Sequence, residues 1–267
     1  MPGSDRALLR DNLTAIMREA GELALTTFKG ASLKSWTKAY SSPVSEADIA
    51  VNDLLRTRLT AAAPQAAWLS EETEDDLART SAASVWIVDP IDGTRAYIAG
   101  RSDWTIAVAL AERGRPALAA VYAPVSGEMF LASAGGGATL NGHPLKASGG
   151  GELAGARIAA PERYLKRLAH LSPQVAPQPK VHSLALRFAR VAQGELDAAF
   201  ASHNSNDWDL AAADLLVHEA GGALTDFTGH ILTYNGPHSR HGALIAAGSA
   251  RHETLIDLVC DRQSEFA

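Results

Sequence analysis

The stretch SVWIVDPIDGTRAYIAG, Ser84 to Gly100, decides how the rest of the chain is read. Val85 to Val88 are apolar and either β-branched or aromatic, the composition of a short buried strand. The run ends directly in Asp89-Pro90-Ile91-Asp92-Gly93-Thr94. Two acids at the end of an apolar strand cost free energy unless something neutralises them. If the chain turns at Pro90-Ile91, both carboxylates face the carboxyl end of the strand. Gly93 and Thr94 then open a turn or helix whose free backbone N–H groups attract phosphate. Carboxylates and free amides at one point suit a metal-bridged phosphate site. An aspartate N-cap followed by a turn accounts for the same residues in purely structural terms.

The chain has 267 residues, the length of one large α/β domain or two smaller lobes. Glycine-rich residues 150–155 divide it into an N-terminal α+β lobe, 1–150, and a C-terminal α/β lobe, 151–267. Hydrophobic residues make up 46% and charged residues 20%, so a packed core is expected. The formal net charge of −6 argues against a nucleic-acid polymer as partner. The single cysteine, Cys260, excludes an intrachain disulfide, and its apolar neighbours read as a buried helical thiol. No signal peptide pattern is visible, and no apolar run approaches the ~20 residues that span a bilayer. A cytoplasmic protein without membrane contact is the expectation.

Helical spacing of Leu9, Leu13, Ile16, Met17, Ala20, Leu23, Ala24 and Phe28 predicts a helix over 5–28, with Ser4 as N-cap and Gly30 as stop. Ser45 reads as the N-cap of a second helix that ends before Pro64. Short apolar runs follow from Ala66 onward and read as strands, with an Asn141-Gly142 hairpin turn. Gly135–Gly137 lacks the Lys-Ser/Thr ending of a phosphate loop and reads as a turn. Helices are expected near 161–170, from His182 to Gln193, from about Asp209 to Ala220 and over about 250–261, with a strand near 196–201.

Other acids sit in similar settings. WLSEETEDD places Glu71 and Glu72 after an apolar segment, SPVSEADIAVNDLL places Asp48 in the first turn of a helix, and NDWDLAAADLLVHEAGG places Asp209 at the start of another. Each alone has a structural explanation, and the helix-start acids Asp48 and Asp209 are favoured by the helix dipole without any ligand. Together the motifs resemble the inositol monophosphatase family. WIVDPIDGTRAY is similar to that family's first signature and WDLAAADLLVHEAGG to its second, with SEE and SPVSEAD as further matches in the right order. The resemblance implies a layered αβαβα sandwich of the inositol monophosphatase and fructose-1,6-bisphosphatase type. It implies a Mg²⁺-dependent, lithium-sensitive phosphomonoesterase, and a homodimer is common among such proteins. It assigns one Mg²⁺ to Glu71, Asp89 and the Ile91 carbonyl, a second to Asp89, Asp92 and Asp209, and a third ion to Glu71 with waters. It assigns the phosphate to the Gly93 and Thr94 amides, and orientation of the attacking metal-bound water to Thr94 and Asp48, with Glu71 in the catalytic set. Charge supports the assignment, because about four carboxylates in one place disfavour ionisation unless divalent cations cancel them, and oxygen-only donors suit hard ions.

An Asp-x-Asp-Gly-Thr phosphatase with a covalent aspartate is excluded by Pro90, which occupies the nucleophile's position. A metal-dependent sensor or structural partner on the same fold is the non-enzymatic alternative. His203 and the loop YNGPHSRHG, with His238 and His241, read as solvated rather than metal-binding. For the substrate, a small phosphorylated metabolite, KAYSSPVSEAD and HSLALRFARVAQGELDAAF are most similar to the bacterial 3'(2'),5'-bisphosphate nucleotidase branch. Arg95-Ala96-Tyr97 departs from that branch's Lys-Glu-Phe and is also similar to histidinol-phosphatase-like members. The loop ASHNSND lacks the glutamate common in inositol-specific members. Ser183, His203 and Asn204 are the candidate substrate contacts. 3'-Phosphoadenosine 5'-phosphate and inositol monophosphate rank together, ahead of histidinol phosphate and sugar phosphates.

Overall fold

A computed structural model describes residues 3–30, 33–37, 43–171 and 174–266. Two long helices form the first layer, α1 (Gly3–Thr27) and α2 (Glu46–Ala62). Their buried residues repeat at helical spacing: Leu9, Leu13, Ile16, Met17, Ala20 and Ala24 on α1, and Ala47, Val51, Leu55 and Leu59 on α2. α1 begins before Ser4, so Ser4 lies inside its first turn rather than capping it. Between the two helices, β1 (Ser35–Thr37) and β2 (Pro43–Ser45) pair antiparallel. This ribbon was not expected, because β1 is exposed throughout and carries no alternating pattern.

The second layer is a seven-stranded sheet. Its strands are β3 (Ala67–Ser70), β4 (Ser84–Asp92), β5 (Thr105–Glu112), β6 (Arg115–Ala123), β7 (Glu128–Ser133), β8 (Gly137–Leu140) and β9 (His143–Pro144), in sequential order. Only the β3–β4 pair is parallel. The β8–β9 turn has Asn141 and Gly142 at φ +48° and +83°, as a type I′ turn requires. The central strands read as unbroken apolar runs because both faces are covered. Trp86, Val88, Ile106 and Val108 pack against α1 and α2, while Val85, Ile87, Ala107 and Ala109 face the opposite side.

That opposite side meets the third layer, α5 (Leu184–Gln193) and α6 (Asp207–Glu219). Ala107, Ala109, Ala111, Ala119 and Ala132 of the sheet share one core with Ala211, Ala212 and Ala213 of α6, and such small side chains let helix and sheet backbones approach closely. The fourth layer is a five-stranded sheet of β10 (Arg157–Ala159), β11 (Ala176–Pro177), β12 (Ala198–Ala201), β14 (Gly222–Asp226) and β16 (Leu244–Gly248), ordered β11-β10-β12-β16-β14. A short pair, β13 (Ser205–Asn206) with β15 (Arg240–His241), lies beside it.

α4 (Glu162–Leu171) and α7 (Ser249–Val259) close the fifth layer. Tyr164 and Leu168 of α4 and Leu255 and Val259 of α7 pack with Phe200, Phe227 and Phe266. The remaining helix, α3 (Thr94–Ile98), is one turn long and follows β4 directly. The layering is the expected αβαβα sandwich. Cys260 ends α7 half-buried, where a short 3₁₀ segment takes over, rather than deep inside a continuous helix. Among the described residues, no helix is long and apolar enough to cross a membrane.

Candidate active site

The site begins with an irregularity in β4. Asp89 pairs with Ala107 of β5, but the next pair is Asp92 with Thr105, so three steps on β4 match two on β5. In a regular strand, residues three apart face opposite sides of the sheet. The extra residue restores the phase. Ile91 turns into the α1–α2 core, and Asp92 joins Asp89 on the face covered by α5. Pro90 suits the irregular step, having no N–H to offer a ladder. Asp89 and Asp92 are both buried, at 1% and 6% exposure.

A third aspartate arrives from the other side. Asp209 is the third residue of α6, which starts two residues earlier than expected because Asn206 caps it. The Asn206 N–H donates to Asp209 Oδ2 at 2.6 Å. One carboxylate oxygen each from Asp89, Asp92 and Asp209 lie within 4.8 Å of one another. These residues line a cavity of about 350 Å³ together with Glu71, Ile91, Gly93 and Thr94. Burial, then the charges of Glu71, Asp92 and Asp209, push the Asp89 carboxyl well above its ordinary value. Burial and the charge of Asp92 do the same to Asp209.

Further hydrogen bonds hold the acids in place. Asp92 Oδ2 accepts from the Ser183 hydroxyl and the Ala185 N–H, both at 2.6 Å, at the first turn of α5. Burial raises Asp92, and these donors partly offset the rise. Asp48, at 1% exposure, accepts from the Ser45 N–H at 2.9 Å and the Ser45 hydroxyl at 2.6 Å through Oδ2. The Thr94 hydroxyl lies 2.9 Å from Asp48 Oδ1 and 3.0 Å from the Ile91 carbonyl, and its single proton serves one of them at a time. Gly93 has φ +94°, and a Cβ there would meet Ser183 N at 3.2 Å, so only glycine makes this turn without strain.

Residues 6–264 match the model of the inositol monophosphatase family. The chain belongs to that family. An inositol-1-monophosphatase of Rhizobium meliloti is 34% identical over 232 residues, covering 84% of this chain and 86% of its own. The 3'(2'),5'-bisphosphate nucleotidase CysQ of Aggregatibacter actinomycetemcomitans is 32% identical over 251 residues, covering 88% and 90%. The crystal structure of extragenic suppressor protein suhB from Bartonella henselae superposes with a TM-score of 0.81 at 26% identity, covering 93% of this chain and 96% of that one. This inositol monophosphatase family member is therefore a phosphoric monoester hydrolase of a metal-dependent family.

Its donor set fits a divalent cation. Three mutually close carboxylates with no histidine or cysteine among them are hard ligands. Their raised affinity for protons shows how poorly the protein alone supports their charge. Glu71, half-buried, lines the same cavity outside the close trio and acts on Asp89 through its field.

The family member gathers most of the residues singled out from sequence. Glu71, Asp89, Ile91, Asp92, Gly93, Thr94 and Asp209 line one cavity, and Asp48 stands behind Thr94. Three others are placed elsewhere. Ser183 is fully buried beneath Asp92, so it presents no surface to a substrate. His203 is exposed and lines a separate cavity of about 180 Å³ beside Phe227. Asn204 occupies an exposed turn at φ +78° with its N–H on the His241 carbonyl. Local polarity suggested these positions, but the chain turns them away from the acidic cavity. His241 is bound to the buried Asp207 at 2.7 Å. Sequence reasoning missed Lys180 and His182, which line the acidic cavity with Arg95. The only signal was their closeness in the chain to the candidate contact Ser183.

Proposed function

We propose that the protein is a Mg²⁺-dependent phosphomonoesterase that hydrolyses a small phosphorylated metabolite, a nucleoside 3',5'-bisphosphate or an inositol monophosphate, by direct attack of water on phosphorus. The observation that carries this reading is the convergence of Asp89, Asp92 and Asp209 within 4.8 Å at the floor of one cavity. Glu71, Asp89, the Ile91 carbonyl, Asp92 and Asp209 would hold two Mg²⁺ ions, with a third on Glu71. Bound there, the ions cancel the acids' charge, polarise the phosphoryl oxygens and lower the pKa of water.

The chain supplies positioning and proton handling. α3 begins at Thr94, and N–H groups at a helix start lack intrahelical partners, so the Gly93–Thr94 turn suits a phosphate oxygen. When the Thr94 hydroxyl donates its hydrogen bond to Asp48, Thr94 Oγ is free to accept a hydrogen bond from the attacking water and orient it. Asp48 is held against that task by Ser45, and burial keeps its proton affinity high while the Ser45 and Thr94 hydrogen bonds moderate it. No covalent aspartate is needed, and Asp89, Asp92 and Asp209 are each held by fixed donors, the Ile91 N–H, the Ser183 hydroxyl with the Ala185 N–H, and the Asn206 N–H.

Initial rates test the reading. Turnover on 3'-phosphoadenosine 5'-phosphate, inositol 1-phosphate and histidinol phosphate is measured with Mg²⁺, with chelator and with lithium. Hydrolysis that requires Mg²⁺ and falls with lithium is expected, and Asp89→Asn should lose at least about a thousandfold in kcat/KM. Near-normal turnover in that variant would sink the proposal.

A further inference from the structure

A second cavity of about 620 Å³ opens beside the acidic one. Lys180 and His182 line both. Its volume falls within the range that accommodates a ring-bearing small molecule. One wall is apolar, built by Pro161 and Leu165.

The charge in this cavity is positive. Lys180 is exposed and forms no ion pair among the described residues. Arg187 donates to the Phe200 carbonyl at 3.1 Å and the Val181 carbonyl at 2.7 Å, which are neutral acceptors. Two such bonds leave further N–H groups of its fork available. Glu162, at the rim, pairs with Lys166 at 2.7 Å. His182 Nδ1 is taken by Asp103 at 2.6 Å, which leaves Nε2 as the ring atom open to a ligand.

Position matters as much as charge. Arg187 lies one helical turn beyond Ser183, which touches Asp92. One turn is about 6 Å along the axis. The two cavities share Lys180 and His182, so a small molecule whose phosphate sits on the acidic floor can extend into the cavity that Arg187 lines.

We propose that this cavity takes the organic part of the substrate and that Lys180 and Arg187 bind a second anionic group on it, so the preferred substrate is a ring-bearing bisphosphate rather than a phosphorylated neutral polyol. The proposal rests on the phosphatase reading of the acidic cavity and narrows its substrate.

Adenosine 3',5'-bisphosphate and adenosine 3'-monophosphate share the ring and the scissile ester and differ only in the second phosphate. With Mg²⁺, the kcat/KM ratio of bisphosphate to monophosphate should exceed about ten for the wild type, as a charge-assisted contact implies. Lys180→Gln and Arg187→Gln should each reduce that ratio about tenfold, chiefly through KM. Lys180→Arg should retain it. Lys180 is exposed, so its variants keep the test open even if the half-buried Arg187 cannot be replaced without unfolding. A wild-type ratio near one, or a ratio that Lys180→Gln leaves unchanged, overturns the subsite. A wild type that hydrolyses neither adenosine ester nor any other phosphomonoester overturns the underlying reading instead.

Discussion

The Ser183 hydroxyl donates to Asp92 at 2.6 Å although 91 residues separate them in the chain. The same oxygen accepts from the Leu186 N–H at 2.9 Å and lies 2.8 Å from the Thr105 hydroxyl. Ser183 thus joins the start of α5, the start of β5 and one of the acids through a single buried atom. One oxygen of Asp92 is saturated by these donors, so only the other is free for an ion.

Ser183→Ala removes that junction and leaves a buried helix-start N–H and a threonine hydroxyl without their partner. A stability loss of about 1–3 kcal/mol is expected, measured by denaturant unfolding of the metal-free protein. Mg²⁺ affinity, measured by titration calorimetry, should weaken about 10–100-fold. Ser183→Thr should retain much of both if its hydroxyl takes the same place. An alanine variant with wild-type Mg²⁺ affinity would show that Asp92 needs no such support.

Metal removal should expose the cost of crowding the acids. Asp89 and Asp209 have folded-state pKa values raised well above the ordinary range, by burial and by their neighbours' charges. A carboxyl raised in the folded state binds protons there more tightly than in the unfolded chain. The metal-free protein should therefore lose stability as pH rises from the ordinary carboxylate range, about 4, toward neutrality. Added Mg²⁺ should recover it at neutral pH. Asp89→Asn should make the chelated protein more stable than wild type and abolish most of the Mg²⁺-induced rise in Tm. Thermal scans with chelator and with Mg²⁺ at two pH values decide the matter.

Asp197 behaves in the opposite sense. Burial alone would raise it, but the Arg157 side chain and N–H, at 2.9 and 2.8 Å, bring its carboxyl down to about 2. A depressed carboxyl stabilises the fold above its unfolded pKa, near 3.8, and that contribution disappears as pH falls through about 2. Asp197→Asn should cost roughly 2 kcal/mol at neutral pH and almost nothing near pH 2. Equal losses at both would mean that packing, not charge, makes this contact.

Much of the architecture was legible because one physical signal dominates it. The buried faces of α1 and α2 repeat at helical spacing, and the strands from β4 to β7 are unbroken apolar runs. The acids at Asp89 and Asp92 stood out because charge at the end of such a run is costly. What escaped reading depends on contacts between distant segments. Ser183 reads as a substrate contact within a helix from His182; it is instead the N-cap of α5, and its link to Asp92 exists only once α5 lies on the sheet. His203 and Asn204 are as polar as any site residue, yet a loop's polarity does not say which way it turns. Lys180 and Arg187 had no pattern to mark them, because a cavity's walls come from several layers at once. The β1–β2 ribbon escaped for a simpler reason, since an exposed strand hides nothing from water.

The unequal count between Asp89 and Asp92 also separates two kinds of change that such a chain could tolerate over time. Replacing an acid changes the charge of the site and leaves the ladder intact. Lengthening β5 by one residue between Thr105 and Ala107 would match the two counts, restore perfect alternation and send one carboxylate into the apolar layer beneath α1 and α2, out of reach of any ion. The sheet would then be more regular and the catalyst lost. Length here is a stricter constraint than composition, and it falls on a single step of the backbone.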